Sequence, residues 1–457
     1  MRSFEALQDK FQRNVVFVLR VRLADDADAL DAVLAAVTGL GAHTAEVALL
    51  EHRSGHIDYD IQVFAADDDQ MTRVSKAVSD VPGCTVLNVL DLAMETHRGG
   101  ACEVRSRTPI KSNTDLRIVY TPGVARVCKA IQATPHLARQ FTNIANRVAI
   151  VTNGTAILGL GDIGPVAGLP VMEGKAAIFW EFVGISADPV LVDTRDADEF
   201  INVVEKIACG YGAIQIEDVA APECFRITRQ LDQRLPIPVF HDDQHGTATV
   251  VLGGLYSAMR KTGRKIGELR CAISGAGAAG TAVADLLIHA GIADIVLCDS
   301  KGIVSRNRTD LNPEKRALAE RTNAENISGS LADAMKGRNL FLGLSRPNIV
   351  SREMVQAMAP KPIVLALANP VSEIARDDAL AAGAAIYADG RMMNNALAYP
   401  GIFRGALDAN ASSITTDMLM AAADALAAAV PKGQLMPEMM DPNTHRAVAE
   451  AVRNAVK

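Results

Sequence analysis

The stretch LRCAISGAGAAGTAVADLLIHAGIADIVLCDSKG, residues 269–302, decides the fold. CAIS is a short apolar run of strand character. Gly275-Ala276-Gly277-Ala278-Ala279-Gly280 follows it and fits the pattern G-x-G-x-x-G. The apolar periodicity then predicts a helix to about residue 290, and IVLCD the next strand. A glycine-rich turn is weak evidence on its own. Between a strand and a helix it is a specific sign of a dinucleotide-binding turn. Gly275 permits the tight turn, Gly277 lets the backbone approach a pyrophosphate, and Gly280 lets helix pack on strand. The helix N-terminus offers its unpaired N–H groups to the phosphates. Asp299 lies 19 residues after Gly280, where a carboxylate binds the adenosine ribose diol. That favours NAD. Lys301 close by could instead meet a 2′-phosphate, so NADP stays open.

Outward from this unit, the 457 residues are too many for one hydrophobic core. The chain is 49% apolar and 22% charged, as in ordinary globular proteins. Its net charge of −7 argues against a nucleic-acid surface. Seven scattered cysteines without C-x-x-C predict reduced thiols, not a disulfide framework. No long uncharged apolar run predicts a membrane span. The polar start MRSFEALQDKFQRN lacks the apolar core of a signal peptide. A cytoplasmic protein is expected.

Residues 15–92 alternate as strand, helix, strand, strand, helix, strand. This βαββαβ order is the ferredoxin-like pattern. It resembles an ACT domain, a small module that often binds amino acids at a dimer interface, and Gly41 sits where such domains usually have a glycine. A plain dimerisation module without ligand is the competing reading. The predicted fold is α/β. It has a ferredoxin-like N-terminal domain (1–95), a linker (96–112) and an α/β metal- and substrate-binding domain (113–245). A doubly wound Rossmann-type dinucleotide-binding domain (246–405) and C-terminal helices packing back on the catalytic domain (406–457) complete it.

Two acidic pairs follow apolar strands. AIQIEDVAAPECF (213–225) carries Glu217-Asp218, and PVFHDDQHGTA (238–248) carries Asp242-Asp243. Either pair alone is more often a solvated turn. Two pairs at strand ends match the way open α/β folds build sites. Four carboxylates converging without a cation would repel strongly. Oxygen-only ligands select Mg²⁺ or Mn²⁺. His241 and His245 are read as structural, because a histidine-rich site would suggest zinc. Lys175, in GLPVMEGKAAIFW, has apolar neighbours; a desolvated lysine has a depressed pKa and can serve as general base. Most isolated lysines are simply solvated. Tyr120, in VYTPGVA, offers a phenol, and one tyrosine alone proves nothing.

Taken in order, VYTPGVA, GTAILGLGDIGP, LPVMEGKAAIF, IQIEDVAAPECF, PVFHDDQHGTA, the GAGAAG turn, ALANPVSEI and NNALAYPGIFRGAL resemble malic enzymes of the small bacterial type, over about residues 105–430. The resemblance implies oxidative decarboxylation of (S)-malate to pyruvate and CO₂ with NAD(P)⁺ and Mg²⁺ or Mn²⁺. It implies Tyr120 as general acid, Lys175 as general base, and Glu217, Asp218 and Asp243 as metal ligands. Asp242 would support the lysine or the metal. Asn369 would touch substrate and cofactor, and Asn395 the substrate. It also implies a homodimer or higher homo-oligomer, with a possible small effector at the ACT-like domain. Two departures stand out. Ala156 replaces an arginine that large malic enzymes carry, and the loop before Asn394 and Asn395 is short. Two alternatives stay open: a non-catalytic or weakly active metabolite sensor, and a dehydrogenase of another 2-hydroxy acid.

Overall fold

A computed structural model describes residues 15–26, 28–53, 55–157, 160–369 and 371–456. The polar start at 1–14, Ala27 of the first expected helix, Ser54 between two expected strands, Leu158-Gly159 of ILGLGD, Pro370 of ALANP and the final Lys457 lie outside the described residues. The chain forms two compact units, Met1–Glu103 and Val104–Lys457.

The first unit contains β1 (Val15–Ala24), α1 (Ala29–Gly39), β2 (His43–Arg53), β3 (His56–Ala65), α2 (Asp68–Ser79) and β4 (Cys84–Asp91). The sheet order is β2-β3-β1-β4, antiparallel throughout. Strand alternation explains it. Phe17, Leu19, Val21 and Leu23 are buried with Val33 and Val37 of α1 and Val74 and Val78 of α2. The intervening Arg20 and Arg22 form ion pairs with Asp60 and Asp58 on the neighbouring strand, each at 2.8 Å. Asp67 caps α2 by accepting from the Gln70 N–H at 2.7 Å.

The second unit holds two sheets. The first consists of β5 (Arg147–Thr152), β6 (Ser186–Leu191), β7 (Ala213–Ile216) and β8 (Val239–His241), in the parallel order β6-β5-β7-β8. The helices α3 (Asn113–Val119) and α4 (Val124–Ala133) precede it, and α5 (Pro165–Val183) crosses from β5 to β6. The second sheet comprises β9 (Arg270–Ser274), β10 (Asp294–Asp299), β11 (Gly302–Ile303), β12 (Leu340–Gly343), β13 (Ile363–Ala366) and β14 (Ile386–Asp389). Its order is β11-β10-β9-β12-β13-β14, parallel except for β11.

Between the sheets in sequence runs α6 (Thr247–Thr262), with apolar residues buried along its length, as for a helix hydrophobic all round. The predicted helix after the glycine turn is α7 (Ala278–His289), and α8 (Pro313–Arg321) follows β11. The chain ends with α9 (Tyr399–Asp408), α10 (Thr416–Ala428) and α11 (Pro442–Ala455). α10 packs on α6 and α11, and α11 on α9 and α5. One apolar cluster joins Val148 and Ile150 of β5, Leu252 and Leu255 of α6, Ile273 of β9 and Leu426 of α10. Among the described residues, no helix is long and apolar enough to cross a membrane.

Candidate active site

Parallel sheets place functional loops at the C-terminal ends of their strands, where the strand order switches direction. In the first sheet that edge carries both acidic pairs. Neighbouring strand residues point to opposite faces, so an adjacent pair converges only where the backbone leaves strand geometry. It does so twice. Glu217 still donates its N–H to the Val151 carbonyl at 2.9 Å, but Asp218 turns into the left-handed region at φ +51°. After β8, Asp242–Gly246 form one wide π turn leading into α6, a feature common at functional sites. The result separates the four carboxylates. Oxygens of Glu217, Asp218 and Asp243 lie within 4.8 Å of one another. Asp242, buried, faces Lys175 instead.

Lys175 projects from α5 with its side chain 15% exposed. Its Nζ sits 2.8 Å from Glu217 Oε1 and also donates to Asp242 Oδ2. Gln215 Nε2 donates to the other Glu217 oxygen at 2.6 Å. The Asn395 amide donates to Asp242 Oδ2 at 3.2 Å and is held by the Thr247 hydroxyl at 3.1 Å. The Tyr399 ring lies 4.9 Å from the Lys175 ammonium, within cation–π range.

The depressed lysine pKa expected from the sequence is not what this arrangement gives. Burial does lower it, but Asp242 and Glu217 outweigh burial and hold the ammonium well above its ordinary range. The two carboxylates that decide the sign come from β7's end and the turn after β8, far from Lys175 in sequence. Burial pushes the Glu217 carboxyl well up, partly offset by Lys175 and reinforced by Asp242, Asp243 and Asp218. Burial and the charge on Asp242 push Asp243 up to about 6. Three converging carboxylates, with Glu217 and Asp243 both pushed up, fit a hard divalent cation. His245 is not among the converging ligand atoms, and its Nδ1 is occupied in accepting from the His241 N–H at 3.1 Å. His241 is fully buried, with Nδ1 3.9 Å from Asp243 Oδ2. Among the described residues, the buried polar atoms here without a hydrogen-bond partner include Asp242 Oδ1 and the Tyr399 hydroxyl. Such groups in a native fold call for a ligand or water.

The structure does not bring every expected residue to this cluster. Tyr120 stands at the C-terminal end of α3, 66% exposed and without a hydrogen bond to Lys175 or Asp242. Asn369 is exposed, and a Cβ at Gly390 would come within 2.7 Å of its amide. Sequence reasoning missed Gln215, Thr247 and Tyr399. Gln215, on β7 two residues before Glu217, was within reach. Tyr399, far away in the chain, carried no signal.

The short loop before Asn394 is closed tightly. Arg391 donates from Nε to Asp389 at 3.1 Å, and Met393 is buried against α6, where a Cβ at Gly254 would lie 2.3 Å from its methyl. Asn394 then caps the turn that presents Asn395, accepting from the Ala396 N–H at 2.9 Å.

At the second sheet, Gly275 adopts φ +112°, and a Cβ there would meet the Leu344 carbonyl at 2.3 Å. A Cβ at Gly280 would fall 1.8 Å from the Gly275 carbonyl. Gly277 is different, because a Cβ there meets no protein atom within 4 Å. Packing requires the first and third glycines; the second faces open space, which leaves room for a pyrophosphate to approach the backbone. Ala276 is buried, and Ala278 and Ala279 begin α7. The turn borders a cavity of about 970 Å³ also lined by Asp299, Lys301 and Lys315. These residues fit a dinucleotide. Asp299, however, already accepts from Arg308 and Lys315, two partners the sequence did not suggest.

The malic enzyme N-terminal domain family matches residues 100–232, and the malic enzyme NAD-binding domain family matches residues 244–457. A NAD-dependent malic enzyme of Geobacillus stearothermophilus is 41% identical over 96% of this chain and 93% of its own length. A NADP-dependent malic enzyme of Rhizobium meliloti is 41% identical over 78% of this chain and 47% of its own. The crystal structure of the NAD-dependent malic enzyme of Thermotoga maritima superposes with a TM-score of 0.76 at 40% identity, covering 79% of this chain and 98% of that one.

Proposed function

The chain belongs to the malic enzyme family, and from that footing we propose that it oxidises (S)-malate with NAD(P)⁺ and decarboxylates the product to pyruvate and CO₂. The convergence of Glu217, Asp218 and Asp243 beside the Lys175–Asp242 pair carries this reading. A simple 2-hydroxy acid dehydrogenase has no use for such a carboxylate trio, whereas β-decarboxylation does. A divalent cation held by these three, Mg²⁺ or Mn²⁺, supplies charge that acidifies the C2 hydroxyl and polarises the C2 carbonyl.

Lys175 acts as general base from its neutral amine form, taking the C2 hydroxyl proton as the hydride leaves C2; the ammonium that Asp242 and Glu217 favour first gives its proton to solvent. Were Glu217 to hold a cation, Lys175 would keep Asp242 as its carboxylate partner. Asp242 holds the resulting ammonium, and Asn395 fixes Asp242. Asn369 and Asn395 offer amide hydrogens to substrate oxygens, and Asn369 also to the cofactor. Tyr120 returns a proton to C3 after CO₂ departs. Its exposure supports a homo-oligomer in which a second copy seats Tyr120 against the reacting atoms. No residue from 98 to 147 is buried, and Leu116, Ile118 and Val119 are exposed beside it.

We read residues 1–95 as a ferredoxin-like, ACT-like regulatory domain that binds a small effector. The antiparallel order β2-β3-β1-β4, with both helices buried against one face, supports this. The linker 96–112 contains the break between the two compact units. The catalytic domain 113–245, dinucleotide domain 246–405 and C-terminal helices 406–457 follow. Cytoplasmic residence fits the seven free cysteines.

A steady-state assay with malate, Mn²⁺ and either dinucleotide tests the activity. Reduced dinucleotide and pyruvate should appear together in equal amounts. Absence of both with every divalent cation tried would sink the proposal, and reduced dinucleotide without pyruvate would favour the plain dehydrogenase.

A further inference from the structure

The strands β12 and β13 lie side by side, and the loops that leave them lead to different parts of the site. After β12, Leu344 and Ser345 back the glycine turn. A Cβ at Gly275 would meet the Leu344 carbonyl, the Leu344 N–H donates to the Ser274 carbonyl at 2.8 Å, and the Ser274 and Ser345 hydroxyls lie 2.7 Å apart. Ser345 also lines the cavity beside that turn. After β13 comes Asn369, whose amide rests against Gly390, just beyond β14. Glu373, from the same ALANPVSEI stretch, joins the two loops. One of its oxygens accepts the Ser345 N–H at 2.9 Å, and the other accepts the Ala368 N–H at 3.1 Å.

Folding alone gives little reason for a carboxylate at this place. Glu373 is fully buried, and these two partners are backbone N–H groups rather than a lysine or arginine. Burial pushes its carboxyl up, and the N–H groups of Ser345 and Ala368 offset only part of that. A buried charge without a cation is costly unless hydrogen bonds compensate it. The two segments are also joined further out without the side chain. The Asn348 N–H donates to the Ser372 carbonyl at 3.1 Å, and the Val350 N–H to the Glu373 carbonyl at 3.0 Å. The sheet even gives up a side chain to make room. Gly343 ends β12 in register with Ala366, and a Cβ there would lie 2.3 Å from the Glu373 carboxyl carbon. Glycine in a strand marks such a close approach.

We propose that Glu373 is a positioning residue for hydride transfer. Its carboxylate latches the Ser345 loop to the root of the Asn369 loop. The dinucleotide held at the glycine turn and the malate met by Asn369 are thereby registered on each other. Glu373 acts through the two loops rather than on either ligand. This rests on the malic enzyme reading of the site and on the role given to Asn369.

Steady-state kinetics of the full-length protein with malate, NAD⁺ and Mn²⁺, set beside calorimetric titration with ADP, test this. Glu373→Gln replaces one accepting oxygen with a donor and so opens one side of the latch. It should lower kcat by about ten- to a hundred-fold, the scale of a misplacement of about 1 Å between reacting groups. ADP affinity should stay within about three-fold of wild type, as for a site that the latch does not form. The deuterium isotope effect with malate labelled at C2 should be at least as large as in wild type, because hydride transfer is the slowed step. A merely structural role would weaken ADP binding along with kcat. Gly343→Ala, which crowds the carboxylate from the other side, should show the same split. The inference is overturned if kcat of either folded variant stays within about three-fold of wild type, if ADP binding falls as far as kcat, or if the isotope effect shrinks. Should one variant fail to fold, the other decides by the same criteria; should both fail, the carboxylate is structural and the inference falls. A wild-type protein that does not oxidise malate overturns the malic enzyme reading as well, whereas an active wild type with unaffected variants overturns this inference alone.

Discussion

Asp242 and Asp243 are adjacent in sequence, and the π turn that carries them gives them separate partners. Asp243 joins the trio fit for a cation, and Asp242 holds Lys175. Asp243→Asn should weaken Mn²⁺ binding by about ten-fold or more, as expected for loss of a charged ligand. Asp242→Asn should leave Mn²⁺ binding within a few-fold but lower kcat by about 10² to 10⁴-fold, the range of a misplaced general base. Mn²⁺ titration by electron paramagnetic resonance with parallel kinetics checks the pair, and the reverse order would exchange their roles. Asp299 gives a pH prediction. Burial raises its pKa, but the bonds from Arg308, Lys315 and the Lys301 N–H win and hold it near 2, below its ordinary 3.8. Its folded pKa is depressed, so unfolding takes up a proton. Its stabilising contribution should be complete above pH about 4 and vanish as pH falls through about 2. Acid melting of wild type against Asp299→Asn should converge over that window. The carboxylate trio was legible because each pair directly follows an apolar strand. The sign of the Lys175 shift was not, because Glu217, Asp242 and Tyr399 come from three separate segments.

At the scale of elements, the glycine turn separates folding from binding. Gly280→Ala places a methyl 1.8 Å from the Gly275 carbonyl, so backbone must move. We expect a loss of about 2 to 4 kcal/mol, measurable by urea unfolding. Gly277→Ala meets no protein atom. It should unfold like wild type, within about 0.5 kcal/mol, yet bind ADP more weakly. Equal stability losses in both would contradict a ligand-driven role for Gly277. The strands here were readable because short buried runs of β9 and β10 flank a turn with known requirements. α9 was not readable as a helix. It begins Tyr399-Pro400-Gly401, residues that signal a turn, and its tertiary setting overrides them: Gly401 packs where a Cβ would lie 2.7 Å from Val448 of α11. The closing of the 390–394 loop by Arg391 and Met393 was equally hidden. It depends on Gly254, far earlier in the chain.

For the whole molecule, Tyr120 makes a sharp test. If it acts across a subunit boundary, Tyr120→Phe and Lys175→Ala proteins are each inactive alone. Mixed after mild dissociation, they should regain about a quarter of wild-type activity, since half the dimers pair one of each and have one intact site. No recovery, with mixed dimers demonstrated, would return Tyr120 to its own chain's site. What supports the proposed oligomer in the structure is the long segment 98–147, which has no buried side chain. The helix α6 has a different kind of consequence. It is buried over most of 248–258 and shares one apolar cluster with β5 and β9. Pulling the two sheets apart would expose that cluster to water at roughly 25 cal/mol for each Å². The helix is thus a girder rather than a hinge. Breathing motions that admit substrate and release CO₂ should travel through peripheral loops, and amide hydrogens of 247–262 should be among the slowest in the chain to exchange with solvent.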